Sequence, residues 1–255
     1  MSRFASYPSL SGRVVFVSGG GSGIGASIVE HFAEQGAKVG FVDIDEPASK
    51  ALVEKLGAAG YPAPLFAKCD VRDVAAYQAA IGEVAGKFGA ITVLVNNAAR
   101  DDRHVIADVT PAFWDERIAV NLRHQYFAIQ AVAPGMKKTG GGSIVNFSSV
   151  SYHTMTPQLS VYQAAKAAVI GMTRGLARDL GPDGIRLNAI TPGWIMTQRQ
   201  IDLWLTPEAE AALMAAQCLK EKVYPPDIAR MALWLAADDS RLVTAQNFVV
   251  DGGRM

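Results

Sequence analysis

The chain has 255 residues, enough for one large α/β domain, and half of them are hydrophobic against 19% charged, so a sizeable core can be buried. Its 24 basic and 24 acidic side chains cancel, which removes the electrostatic argument for nucleic acid or an anionic membrane as partner. The two cysteines lie far apart without a CxxC spacing, residues 1–13 lack the ~7–15-residue apolar core of a signal peptide, and no apolar run nears the ~18 residues of a membrane span, so a cytoplasmic protein without a disulfide framework is expected.

Taken in chain order, short β-branched runs alternate with longer alanine-rich amphipathic stretches. Strands are expected at 14–18, 38–43, 64–68, 92–96, 143–147, 185–190 and 247–250. Helices are expected at 23–34, 47–59, 73–88, 111–138, 161–180 and 226–237. The strands are near-continuous apolar runs, the pattern of parallel strands buried on both faces. Repeated βα units imply right-handed crossovers and a single-domain, doubly wound, Rossmann-type parallel sheet of seven strands with helices on both faces, covering 1–255. Residues 194–225 break the rhythm with two short helical pieces, and a long insertion there is expected to act as a substrate lid.

The first strand runs into glycines at 19, 20, 21, 23 and 25. They let the backbone take positive φ and approach a pyrophosphate closely, while the helix starting near Gly23 turns its free N–H groups toward that anion. Asp43 ends the second strand eighteen residues after Gly25, where a carboxylate accepts hydrogen bonds from an adenosine ribose and repels a 2′-phosphate. No Arg or Lys stands in the loop or just after that strand, so NAD is favoured over NADP. A plain tight turn explains the glycines alone; the strand, the helix and the acid together point to a dinucleotide.

Tyr162 and Lys166 stand four residues apart on the helix 161–180, which Gly181 and Pro182 end. Val161, Ala165, Ala168, Met172, Leu176 and Leu180 make one apolar stripe, and Tyr162, Lys166, Val169 and Thr173 fall on its neighbour. A phenol with a pKa near ~10 is too weak a base at neutral pH, and a nearby cation is expected to lower it. Ser149 follows the fifth strand at its C-terminal end, where its hydroxyl could bond a reacting oxygen. Taken singly, Ser149 reads as a capping or turn residue and Asn121 as a satisfied helix amide; only the constellation raises them.

These motifs together resemble the short-chain dehydrogenase/reductase family, in its order and spacing, over nearly the whole chain. Gly19-xxx-Gly23-Ile24-Gly25 is similar to the family's cofactor loop, with Ser22 inside it. By that resemblance Asp70 and Val71 would contact adenine, and Asn97 and Ala98, in the NNAA stretch, would line the cofactor. Pro192, Gly193, Ile195 and Thr197 would close over the nicotinamide. Asn121, Ser149, Tyr162 and Lys166 would be the catalytic set, with Tyr162 as base, Lys166 also on the nicotinamide ribose and Asn121 holding a water that links Lys166 to solvent. Ser18 replaces the family's threonine and Ala99 its last glycine.

The site loops are polar: RDDRH at 100–104, SSVSYH at 148–153 and MTQRQ at 196–200. Asp102, Arg103, His104, Ser151, His153, Gln198 and Arg199 could face a ligand, though loop charges are often merely solvated; of these His104, Ser151, His153 and Arg199, with Ser149 and Tyr162, are taken as substrate residues. Trp194 and Trp204 could stack on a sugar or sit in the core. NNA-x-x-DDRH, the stretch 114–132 and GWIMTQRQ resemble bacterial aldose 1-dehydrogenases, which implies oxidation of an anomeric hydroxyl to a lactone and a homotetramer built on the helices 111–138 and 161–180 and the last strand; Arg100 departs from that subgroup. A 3-oxoacyl-type carbonyl reductase and a non-catalytic dinucleotide-binding regulator are the alternatives. The four histidines, at 31, 104, 124 and 153, lack paired ligand spacing, so no metal is expected.

Overall fold

Valines and isoleucines put seven short strands side by side in the computed structural model, which describes residues 4–255. The opening residues 1–3, part of the stretch searched for a leader, lie outside the described residues. The strands are β1 (Val14–Ser18), β2 (Lys38–Asp43), β3 (Leu65–Lys68), β4 (Val93–Asn96), β5 (Gly142–Phe147), β6 (Ile185–Pro192) and β7 (Asn247–Val250). Every pairing is parallel and the order is β3-β2-β1-β4-β5-β6-β7. The chain reverses direction of travel between β1 and β4, so the C-terminal ends of those two strands diverge into opposite connections and leave a crevice.

Successive residues of β1 show why the apolar runs are unbroken. Val15 and Val17 join the core under α1 (Gly23–Glu34), α2 (Glu46–Ala58) and α9 (Pro225–Ala236). Val14 and Phe16 join the core under α3 (Val74–Phe88), α5 (His124–Lys138) and α6 (Ser160–Leu180). Both faces are dry, so the usual polar alternation has no use here. Helix starts follow local chemistry: Asp45, Asp73 and Thr110 accept backbone N–H groups at the first turns of α2, α3 and α4 (Pro111–Ile118).

Three expectations need correction. The helix expected over 111–138 is two, α4 and α5, joined by a π-helical segment at Ala119–Arg123 that packs against α6. The inserted turn carries Asn121, whose side chain bonds the backbone of Arg100 and Arg117, a tertiary cause that local periodicity does not register. On α6 the buried line is Val161, Ala165, Lys166, Val169, Thr173 and Ala177, while Ala168 is exposed and Met172, Leu176 and Leu180 are half-buried. The sheet is met by the stripe that holds the lysine. Finally, β6 extends to Pro192, because β7 pairs as far as Val250.

Residues 194–225 do contain two short helices, α7 (Gln198–Trp204) and α8 (Pro207–Ala216), each begun by a threonine cap. A bridge between Ile195 and Val223 closes the base of the excursion. Among the described residues, no helix is long and apolar enough to cross a membrane, and no group of three or more His, Cys, Asp or Glu could hold a metal ion.

Candidate active site

At the C-terminal edge of the sheet a cleft of about 750 Å³ runs from Asp43 past the glycine loop to Tyr162 and Lys166. One end is made by backbone. Gly19 adopts φ +67°, and a side chain there would press on Ala98. A Cβ on Gly25 would sit 1.8 Å from the carbonyl oxygen of Gly19, so only glycine lets the loop fold under α1. Ser22 stands at the N-cap of α1 in extended conformation and makes no side-chain cap, so the first N–H groups of the helix stay open toward the cleft.

Asp43 is held at the rim of this end: its carboxylate accepts the N–H of Gly21 at 2.8 Å and of Asp45 at 2.9 Å. Ser18 ties the divergent strands, its hydroxyl accepting the N–H groups of Asn97 at 3.1 Å and Ala98 at 3.2 Å. The Asn97 amide donates to the carbonyls of Ser18 and Gly19, so this residue shapes the loop as well as lining the cleft. Every residue expected to bind cofactor borders this cleft: Gly19, Ser22, Gly23, Ile24, Gly25, Asp43, Asp70, Val71, Asn97, Ala98, Tyr162, Lys166, Pro192, Gly193, Ile195 and Thr197. Thr197 has a second task, capping α7 through the N–H of Gln200.

The other end is made by side chains. Helix α6 brings Tyr162 and Lys166 together, with the ammonium 5.6 Å from the centre of the phenol ring. Lys166 is 1% exposed and donates to the carbonyl of Phe147 at 2.9 Å. Burial pulls its pKa down to about 7. Burial also pushes the Tyr162 phenol up, the Asp101 carboxylate adds to that, and a hydrogen bond with Ser149 and the fields of Arg103 and Arg199 work against it. The expectation that the lysine by itself lowers the phenol is therefore corrected: in the ligand-free chain desolvation outweighs the neighbouring cations.

Asn121 lies behind the cleft. Its side-chain oxygen accepts the N–H of Arg100 at 2.9 Å, and its amide donates to the carbonyls of Arg100 and Arg117 at 3.1 and 2.9 Å. Both polar atoms help hold the loop after β4.

Of the residues expected to meet substrate, Ser149, Ser151, Tyr162 and Arg199 border the cleft; the Ser151 hydroxyl is buried without a hydrogen-bond partner. His104 and His153 do not border it. The His104 ring turns to the start of α6, and His153 is exposed and stacks on Tyr152 at 4.0 Å. A polar residue in a site loop has two sides to choose from, and here packing against Phe113 and Tyr152 takes the two imidazoles away. Arg199 is not free: it pairs with Asp101, and with Asp102 at 3.6 Å. Gln200 donates to Asp101 at 3.0 Å and accepts from the Trp194 indole at 2.9 Å. Arg103 lies 4.9 Å from the Trp204 ring. These contacts join the loop after β4 to α7 across the mouth. Sequence reasoning missed Asp101, Gln200 and Arg254 as cleft residues; Asp101 stood inside the polar 100–104 stretch, whereas nothing local marked Arg254.

Comparison with known proteins places this geometry among relatives. A family model described as enoyl-(acyl carrier protein) reductase matches residues 19–254. The chain is 50% identical over 249 residues to a D-xylose 1-dehydrogenase of Caulobacter vibrioides, covering 98% of each chain. It is 52% identical over 247 residues to a probable galactose dehydrogenase of Rhizobium meliloti, covering 97% of this chain and 96% of that one. A solved structure of a 7α-hydroxysteroid dehydrogenase complexed with NADH and 7-oxo glycochenodeoxycholic acid superposes with a TM-score of 0.92 at 30% identity, over 97% of this chain and 96% of the other.

Proposed function

The chain belongs to the short-chain dehydrogenase/reductase family, and from that premise we propose that it oxidises the anomeric hydroxyl of an aldose to the lactone with NAD. The carrying observation is that Tyr162 shares one end of the cleft with a rim of hydrogen-bonding side chains, Asp101, Arg103, Ser151, Arg199 and Gln200. Each unmade hydrogen bond in a buried site costs on the order of 1–3 kcal/mol, so such a rim favours a polyhydroxylated ligand over a steroid or acyl chain. The relatives named for xylose and galactose support the same substrate class.

The residues present fit a nicotinamide dinucleotide. The open N-terminus of α1 and the glycine loop would hold the pyrophosphate, Asp43 the adenosine ribose, and Lys166 the ribose nearer Tyr162. NAD is the preferred form, because Asp43 faces the position a 2′-phosphate would take and residues 44–48 offer no cation. When bound, the oxidised nicotinamide supplies the hydride acceptor and a positive charge that favours phenolate.

Tyr162 Oη removes the proton of the C1 hydroxyl as the C1 hydrogen leaves with its electron pair, so the carbon becomes the lactone carbonyl. Ser149, whose side chain favours the phenolate of Tyr162, is placed to donate to the same substrate oxygen. Lys166 stands beside the ring and donates to the carbonyl of Phe147. Asn121 keeps the loop after β4 in place. In this reading residues 194–225 are the substrate lid of one catalytic domain, latched by Arg199 and Gln200 to Asp101. The exposed small residues of α6, Ala164, Ala167, Ala168, Gly171 and Gly175, suit close helix contact in a homotetramer.

The test is a panel of pentoses and hexoses with NAD and NADP, followed by reduced-nicotinamide absorbance. Turnover of at least one aldose with NAD, and none with an acyl thioester and NADPH, is the expected result. Silence with every aldose refutes the reading.

A further inference from the structure

Helix α6 carries Tyr162 and Lys166 but does not cap itself. The residue before it, Leu159, has no side chain able to accept a first-turn N–H. The residue before that, Gln158, takes φ +60°, a conformation disfavoured for a side chain of that size, so the turn entering the helix is held from outside.

His104 supplies the hold. Its Nε2 accepts the N–H of Val161 at 3.3 Å and stands 3.1 Å from the Ser160 hydroxyl. Its backbone N–H donates to the carbonyl of Gln158 at 2.9 Å. Since Nε2 accepts from an amide, the ring proton lies on Nδ1, which is 3.3 Å from the carbonyl of Asp102 and donates to it. Phe113 of α4 packs against the ring, the ring centres 5.1 Å apart. The carboxylate of Asp102 is in turn held by Arg117 and by Arg100 at 2.9 Å. One imidazole thus joins the loop after β4, which borders the cleft, to the first turn of the helix one residue before Tyr162.

We propose that His104 is a positioning residue for the proposed aldose oxidation: it caps α6 in trans and thereby sets the phenol of Tyr162 against the substrate loop. It touches neither substrate nor cofactor. The proposal rests on the reading of Tyr162 as general base, but its structural half stands apart from that reading and is tested apart from it.

The variants His104→Ala, His104→Gln and His104→Asn separate the roles of the two ring nitrogens. Glutamine places an amide oxygen where Nε2 stands and can accept from Val161; asparagine reaches only as far as Nδ1 and cannot. Hydrogen exchange of the free protein reads the cap directly. In the alanine and asparagine variants, exchange at residues 161–163 is expected to quicken about tenfold, the loss typical of an N-cap, and glutamine is expected to restore it. With NAD and the fastest aldose of the panel, kcat is expected to fall about tenfold in alanine and asparagine and to return within about threefold in glutamine, with KM for NAD unchanged. Unchanged exchange in the alanine variant overturns the cap. Faster exchange with unchanged kcat overturns the positioning role. A wild-type enzyme silent toward aldoses refutes the substrate reading, and exchange alone then decides His104.

Discussion

The two ends of the cleft are built from different materials. At the Asp43 end the groups facing a ligand are mainly backbone, set by glycines that tolerate no Cβ and by the open end of α1. At the Tyr162 end they are side chains, many of them held by partners far away in sequence, as Arg199 and Gln200 are by Asp101. The first end depends on what residues lack, and the second on what they reach. That difference predicts which substitutions change cofactor handling and which change substrate handling.

The largest effect is expected at the side-chain end. Tyr162→Phe removes the proposed base and should lower turnover about a thousandfold while leaving NAD affinity unchanged, measured by steady-state rates and by fluorescence titration of the dinucleotide. Near-normal turnover would break the comparison, because the chemistry would then not reside in α6. At the backbone end, Asp43→Ala should weaken NAD binding about tenfold to a hundredfold, the loss of charge-assisted hydrogen bonds, and admit NADP, with the KM for sugar unchanged. An unaltered ratio of NAD to NADP efficiency would remove the carboxylate from its ribose role.

Acidity sharpens the contrast further. Burial and Asp101 hold the Tyr162 phenol above its ordinary value in the ligand-free chain, and the base must be deprotonated to act. The phenolate fraction therefore rises with pH, and kcat/KM for oxidation at limiting NAD should climb about tenfold per pH unit through neutral and mildly alkaline pH. A profile flat over that range would contradict the assignment. The smallest effect is expected at the latch. Asp101→Asn loosens the tie to Arg199 and should raise the sugar KM about threefold, the scale of a solvent-exposed ion pair, with the KM for NAD unchanged.

The same division explains what could be read before any coordinates. The strands β1, β2 and β7 and the helix α1 lie at the residues expected, since unbroken apolar runs and the glycine loop are local signals. The residues expected to bind cofactor border the cleft, because a loop fixed by glycines positions its own backbone. The break at Ala119–Arg123 was not legible: no proline or glycine stands there, and the π segment answers to Arg100, about twenty residues earlier. His104 and His153 were read as substrate residues because polarity shows that a side chain seeks a partner without showing which one. The downward pull expected of Lys166 on the phenol came from i, i+4 spacing, which places two side chains on one face but carries nothing about how deeply the helix buries them. Asp101 was missed for the converse reason, its partners Arg199 and Gln200 lying nearly a hundred residues away.

A label at the reacting carbon tests the chemistry most directly. An aldose carrying deuterium at C1 is incubated with the enzyme and NAD, and both products are examined by mass spectrometry and NMR. Deuterium on the reduced nicotinamide together with an unlabelled lactone, or the aldonic acid from its hydrolysis, is the expected result. Retention of deuterium in the sugar product, or a ketose in place of the lactone, would contradict anomeric oxidation at Tyr162.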